Sequence, residues 1–63
     1  MSTKAEAIKV MRDHLRDYKD VNLTSLAENA AISLDHDEWL DNPDHWIWDL
    51  AVDEYERIHG PIL

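Results

Sequence analysis

Apolar residues return every three or four positions through most of the chain, and no segment shows the strict alternation of a strand. Ile8, Met11, Leu15 and Tyr18 are spaced three, four and three apart, which places them on one stripe of a helix, with Ala7, Val10 and His14 flanking it. Thr3-Lys4-Ala5-Glu6 ahead of them has the form of a capping box, in which the Thr3 hydroxyl accepts from the Glu6 amide and the Glu6 carboxylate reaches back to the amide of Thr3. The pattern predicts a first helix over 3–19. Lys9–Asp13, Asp13–Arg16 and Arg16–Asp20 stand at helical spacing for ion pairs across its exposed side.

A turn is expected around Asp20-Val21-Asn22, and Leu23, Leu26, Ala27, Ala30 and Leu34 then mark a second stripe. Ser25-Leu26-Ala27-Glu28 offers another capping box, so the second helix is predicted over 24–33, with Ala27, Ala30 and Ala31 small enough to let a neighbouring helix approach closely. Asp35-His36-Asp37-Glu38 can cap one short helical turn that points Trp39 and Leu40 at the core. Asn42-Pro43 is a start signal and Gly60-Pro61 a stop, predicting a third helix over 43–59. On its wheel Ile47, Leu50, Ala51, Tyr55 and Ile58 share one face with Trp48 and Val52 at the edge, while His45, Trp46, Asp49, Asp53 and Glu56 lie opposite. The fold class is therefore all-α, a small three-helix bundle in one domain over 1–63, with an extra turn near 36–40.

Length sharpens this picture. A chain of 63 residues buries only about 60% of its unfolded surface, and without cysteine it has no disulfide or thiolate metal site to compensate. Well-formed helices or a partner surface must supply the difference. Helix 3 is apolar over more than one stripe, so a two-fold homodimer is expected, with Trp46, Trp48, Val52 and the tail Ile62-Leu63 as the spare surface. Apolar runs are too short to span a membrane, and the first residues show no apolar signal core; a cytoplasmic location is expected.

Charge changes the picture more. Of six Lys and Arg, five stand before Asp20, and from Asp20 to Glu56 there are eleven carboxylates without a single Lys or Arg. Such a surface repels nucleic acid and anionic membrane and attracts basic partners. His36 and His45 among Asp35, Asp37, Asp41 and Asp44 offer metal-ligand chemistry, but their spacing matches no closed site, and the carboxylates also suit the positive end of helix 3. A calcium loop fails because Trp39 and Leu40 stand where an oxygen ligand and glycine belong. With one glycine in the chain there is no phosphate loop, and no nucleophile motif is present, so no catalytic residue, cofactor or enzymatic activity is assigned. Trp39 and Trp48 suit a core role. Trp46, with Asp49 and Asp53 at three and seven residues on, reads equally well as an interface anchor inside an acidic rim, or as a residue that covers the 35–42 connection or packs in a dimer.

Leu23–Ser33 resembles the first helix and turn of a helix-turn-helix DNA reader through Ala27, Ala31, Ile32 and Ser33. The element that would enter the groove, Leu34–Leu40, holds Asp35, Asp37 and Glu38 and no base, which phosphates would repel. As a whole the chain resembles the small acidic helical accessory and anti-defence proteins of bacteriophages, through its size, its base-free stretch, its lack of cysteine and the run Asp41-Asn42-Pro43-Asp44-His45-Trp46-Ile47-Trp48-Asp49. That resemblance implies an inhibitor, of the anti-CRISPR or anti-restriction kind, that occupies the nucleic-acid groove of a basic host protein, in some cases by mimicking DNA charge. The expected partner-binding residues are Asp35, Asp37, Glu38, Asp41, Asp44, Trp46, Asp49, Asp53 and Glu56. The other class left open is a structural or regulatory oligomerisation module whose acidity serves solubility.

Overall fold

The computed structural model describes residues 2–61. Helices α1 (Thr3–Asp17), α2 (Leu23–Ser33) and α3 (Trp46–His59) succeed one another, with a 3-10 turn over Asp37–Asp41 between the last two and no strand among the described residues. This is the all-α three-helix bundle that the periodicity predicts, extra turn included. No described helix is long and apolar enough to cross a membrane.

Two contacts set the course of the chain. Arg12 meets Glu54 and Lys4 meets the ring of Trp46, both pairs 42 residues apart, so α1 and α3 run parallel and in register. The chain leaves α1 at one end and enters α3 at the other, so α2 makes the return journey. One end of the bundle thus gathers the start of α1, the whole connection from Leu34 to His45, and the start of α3.

α1 begins at Thr3 as predicted and α2 one residue earlier than predicted, but the side chains that cap them are not those of the capping boxes. Ser2, not Thr3, caps α1, accepting from the Ala5 amide at 3.1 Å, so Glu6 is not the reciprocal partner of the cap. Asn22, not the Ser25 box, caps α2, accepting from the Ser25 amide at 2.7 Å. Asn outranks Ser as a cap only slightly, but starting at Asn22 draws Leu23 into the helix, where it packs against the core. The third start differs most. Asn42-Pro43 nucleates a turn instead: the His45 amide donates to the Asn42 carbonyl (3.1 Å) and the Asp44 amide to Asn42 Oδ1 (3.0 Å). Proline at the second turn position is as well suited as proline at the first helical one, and the sequence signal is the same for both. α3 then starts at Trp46 with His45 as its cap, Nδ1 accepting from the Ile47 amide at 3.0 Å.

α2 ends in a Schellman motif, the His36 amide donating to the Ala31 carbonyl (2.9 Å) and the Asp35 amide to that of Ile32 (3.0 Å). Asp35 occupies the left-handed position with φ 62°, where glycine is the usual choice. Its carboxylate also faces the negative end of the helix dipole. At the end of α3 a positive φ recurs at Gly60, but with φ 84° and ψ 178°, an extended combination open to glycine alone.

The core is Ala7, Met11, Leu15, Val21, Leu26, Ala27, Ala30, Ala31, Ile47 and Ala51. On α1 the buried row is Ala7-Met11-Leu15; Ile8 is only half-buried and Tyr18, beyond the helix end, is 61% exposed. The α1 stripe is therefore turned by about one residue from the predicted one, because alanine lets α1 come closer to its neighbours than Ile8 would. On α3 Ile47 and Ala51 are buried, Leu50, Val52, Tyr55 and Trp48 half-buried, and Ile58 is 50% exposed, since the facing helix α1 is in its last turn at that level. Trp39 and Trp48 pack on the core from its rim and are not enclosed by it. Trp46, Trp48 and Val52, three of the residues expected to remain for self-association, are each half-buried, and Ile62 and Leu63 lie outside the described residues.

The inward row of α3 continues from Ile47 and Ala51 to Glu54, which is buried. Arg12 Nε donates to Glu54 Oε1 at 2.8 Å, with Nη2 3.5 Å from Oε2, and Arg57 Nε donates to Oε1 at 3.2 Å. Of the pairs expected along α1 only Asp13–Arg16 closes, at 3.4 Å; Arg16 also turns to Asp17 (3.2 Å), and Asp20 lies past the helix end.

Truncating Leu26 to alanine is expected to cost about 2–5 kcal/mol in urea unfolding, whereas Ile58→Ala costs under about 1 kcal/mol. Comparable losses at the two positions would contradict the core as described. Asp35→Gly is expected to stabilise by about 0.5–1 kcal/mol, because relief of the left-handed backbone and of the dipole repulsion exceeds the freedom glycine adds to the unfolded chain. A lower Tm for that variant would contradict it.

Candidate functional site

The connection between α2 and α3 carries Asp35, Asp37, Glu38, Asp41 and Asp44, all exposed, at the end of the bundle where α1 and α3 begin. From there Asp49 and Asp53 continue along the outer edge of α3, both exposed, while Glu56 is half-buried. Trp46 shares that outer edge, with Asp49 and Asp53 at three and seven residues on, or about 4.5 and 10.5 Å along the axis. Of these eight carboxylates only Glu38 has an ion-pair partner among the described residues, His36.

The reason lies in where the bases go. Arg12 and Arg57 are both bound to Glu54, Arg16 to Asp13 and Asp17. Lys9 and Lys19 are on α1 and just past its end. Lys4, the base that stands at the acidic end, places its ammonium 5.7 Å from the centre of the Trp46 ring. The tertiary structure thus keeps the imbalance read from the sequence as a physical surface.

An aromatic cluster underlies this surface. Trp39, at the middle of the 3-10 turn, stacks on His36 (centroids 4.4 Å, planes 13° apart) and on His45 (4.7 Å, 18°). Trp46 leans on Trp39 (4.8 Å, 55°) and on His45 (4.8 Å, 39°). Trp46 is therefore half-buried and packs on the 35–42 connection through Trp39, one of the roles expected for it, and Lys4 lies over its ring. His45 is tied twice, by its stack on Trp39 and by its cap to Ile47, which puts the proton of the neutral ring on Nε2. His36 and His45 are thus committed to Trp39, and among the described residues no three His, Asp or Glu side chains converge on a metal position.

His36 Nδ1 lies 2.9 Å from Glu38 Oε1. This hydrogen bond holds the Glu38 carboxyl below the usual carboxylate range, with its own backbone amide acting in the same direction and desolvation opposing them. Two open depressions of about 440 and 410 Å³ lie elsewhere, one lined by Ala5, Ile8, Lys9, Arg12 and Asp13, the other around His14, Tyr18 and Ser25, and none of the nine candidate residues lines either.

Sequence reasoning did not single out Glu54 or the capping role of His45. Glu54 was findable: 47, 51, 54 and 58 form one row on the wheel, and a carboxylate in such a row calls for an arginine. The His45 cap carries no sequence signal, since histidine is not a preferred cap. No family model, curated protein or solved structure matches the chain.

Because the folded-state pKa of Glu38 is lowered, its contribution to stability is present above the ordinary glutamate range and is lost as pH falls through the lowered value. Carboxyl 13C NMR is expected to show Glu38 titrating below the usual value of about 4.3. In His36→Phe, which keeps a ring on Trp39 but no donor, the titration returns towards that value. No change in that variant would remove His36 as the cause.

Proposed function

We propose that this protein is a binding module that inhibits a basic, nucleic-acid-handling protein by docking its acidic surface on the groove that holds phosphates. The observation that supports this reading most is the distribution of ion pairs: seven of the eight candidate carboxylates have no ion-pair partner among the described residues, while the arginines are held by Glu54, Asp13 and Asp17. A carboxylate surface kept clear of the chain's own bases is free to take the Lys and Arg of another protein, and its field speeds the encounter. The rigid aromatic cluster beneath gives that surface a fixed shape, which charge alone does not. Seen this way, the resemblance to phage anti-defence proteins is one of strategy: stoichiometric occupation of a site, with no chemistry performed.

The test is capture of a target from host lysate at low and at high salt, followed by competition between this protein and nucleic acid for the captured target. Asp49→Lys combined with Asp53→Lys is expected to slow association about tenfold or more at low salt and to flatten its salt dependence. If the charge-reversed protein remains helical by circular dichroism and binds as well as the parent, the acidity is a solubility device and the oligomerisation module takes its place.

A further inference from the structure

Lys4 is the second residue of α1, a position where the helix dipole disfavours a cation. It is exposed and makes no ion pair among the described residues, although it stands at the end of the bundle that holds Asp35, Asp37, Asp41 and Asp44. Its ammonium instead lies over the indole of Trp46, 5.7 Å from the ring centre and within reach of a cation–π contact. The same ring packs against Trp39 and His45, and Trp39 in turn against His36, so the indole is braced by neighbouring rings. Asp49 and Asp53 stand next along the same edge of α3. Lys4 forms an ion pair with neither, so both carboxylates remain open to a second cation on that edge.

We infer that the Trp46 face is a seat for an arginine side chain of the basic partner, and that Lys4 occupies it in the free protein as an internal stand-in. The inference rests on the docking function proposed above and names the group that the acidic edge receives. A planar guanidinium lies flat on an indole and still reaches a carboxylate with its remaining N–H groups, which a lysine ammonium does less well. The stand-in is easily displaced, because Lys4 gains one exposed cation–π contact against an unfavourable helix end. Its presence lowers affinity for the arriving side chain by the strength of that contact, a factor of roughly two to five.

The test uses the full chain and two synthetic peptides, hexa-arginine and hexa-lysine, titrated while the indole N–H resonances are followed by NMR. The Trp46 resonance is expected to shift on addition of hexa-arginine, which binds roughly two- to fivefold more tightly than hexa-lysine at equal salt. Lys4→Ala tightens hexa-arginine binding beyond the gain from Lys9→Ala, which removes the same charge away from the indole. Trp46→Leu keeps salt-dependent binding but loses both the arginine preference and the Lys4 effect; should it fail to fold, Trp46→Phe reduces both. Equal gains from Lys4→Ala and Lys9→Ala would overturn the stand-in. Salt-dependent binding of both peptides without a Trp46 shift would overturn the seat and leave the acidic docking surface standing. No binding of either peptide at low salt would overturn both.

Discussion

Half of the buried apolar residues among those described are alanine, and most other features of the molecule follow from how closely alanine lets helices approach. Ala7, Ala27, Ala30, Ala31 and Ala51 line the seams, and the largest side chains fully enclosed among the described residues are Met11, Leu26 and Ile47. A seam of this kind excludes tryptophan from the middle of the bundle by volume, since an interior at crystal-like density has no room for an indole between helices in near contact. The three tryptophans are therefore found at the rim, half-buried against the core. In so small a chain their area is still needed, and the bundle obtains it by closing one end with aromatic rings.

Glu54 settles the other seam. A carboxylate this buried is tolerable only with strong donors, and it has two, one from the facing helix and one from its own next turn. Buried ion pairs are weak evidence for net stability. Here the pair fixes α1 and α3 at one offset, which the Lys4–Trp46 contact at the same spacing repeats. It also decides the surface. Two arginines spend their hydrogen bonds on a buried carboxylate while remaining exposed themselves, and among the described residues the outer carboxylates of α3 form no ion pair with either.

The acidic end joins the two themes. Asp35 takes a left-handed backbone position at the negative end of α2, a choice that glycine would improve, and His45 caps α3 where a smaller side chain would be ordinary. Both departures from local preference lie in the connection that carries the carboxylates and the Trp39 stack. Histidine at the cap is intelligible once the stack is seen, because the same ring meets Ile47 through Nδ1 and Trp39 through its face. Local rules are broken here in the service of a rigid, charged end.

The periodicity of apolar residues was enough to determine three helices, their order and most of the core, because a 3.6-residue repeat has one physical reading and short links leave few ways to pack it. The segregation of charge was equally legible, since it is a property of the chain and not of its folding. Three things were decided only by tertiary contact. The caps moved by a residue or more because Ser2, Thr3, Asn22, Ser25 and Asn42 are all competent caps locally, and the packing of Leu23 and the turn at Asn42 chose among them. The core stripe rotated to Ala7 and left Ile8, Tyr18 and Ile58 wholly or partly outside, because closeness of approach depends on the facing helix, which no wheel contains. Trp46 lay opposite the apolar face of its own helix, yet Trp39 and Lys4 come to it from other elements, and a residue's burial is fixed by what arrives across space as much as by where its helix points it.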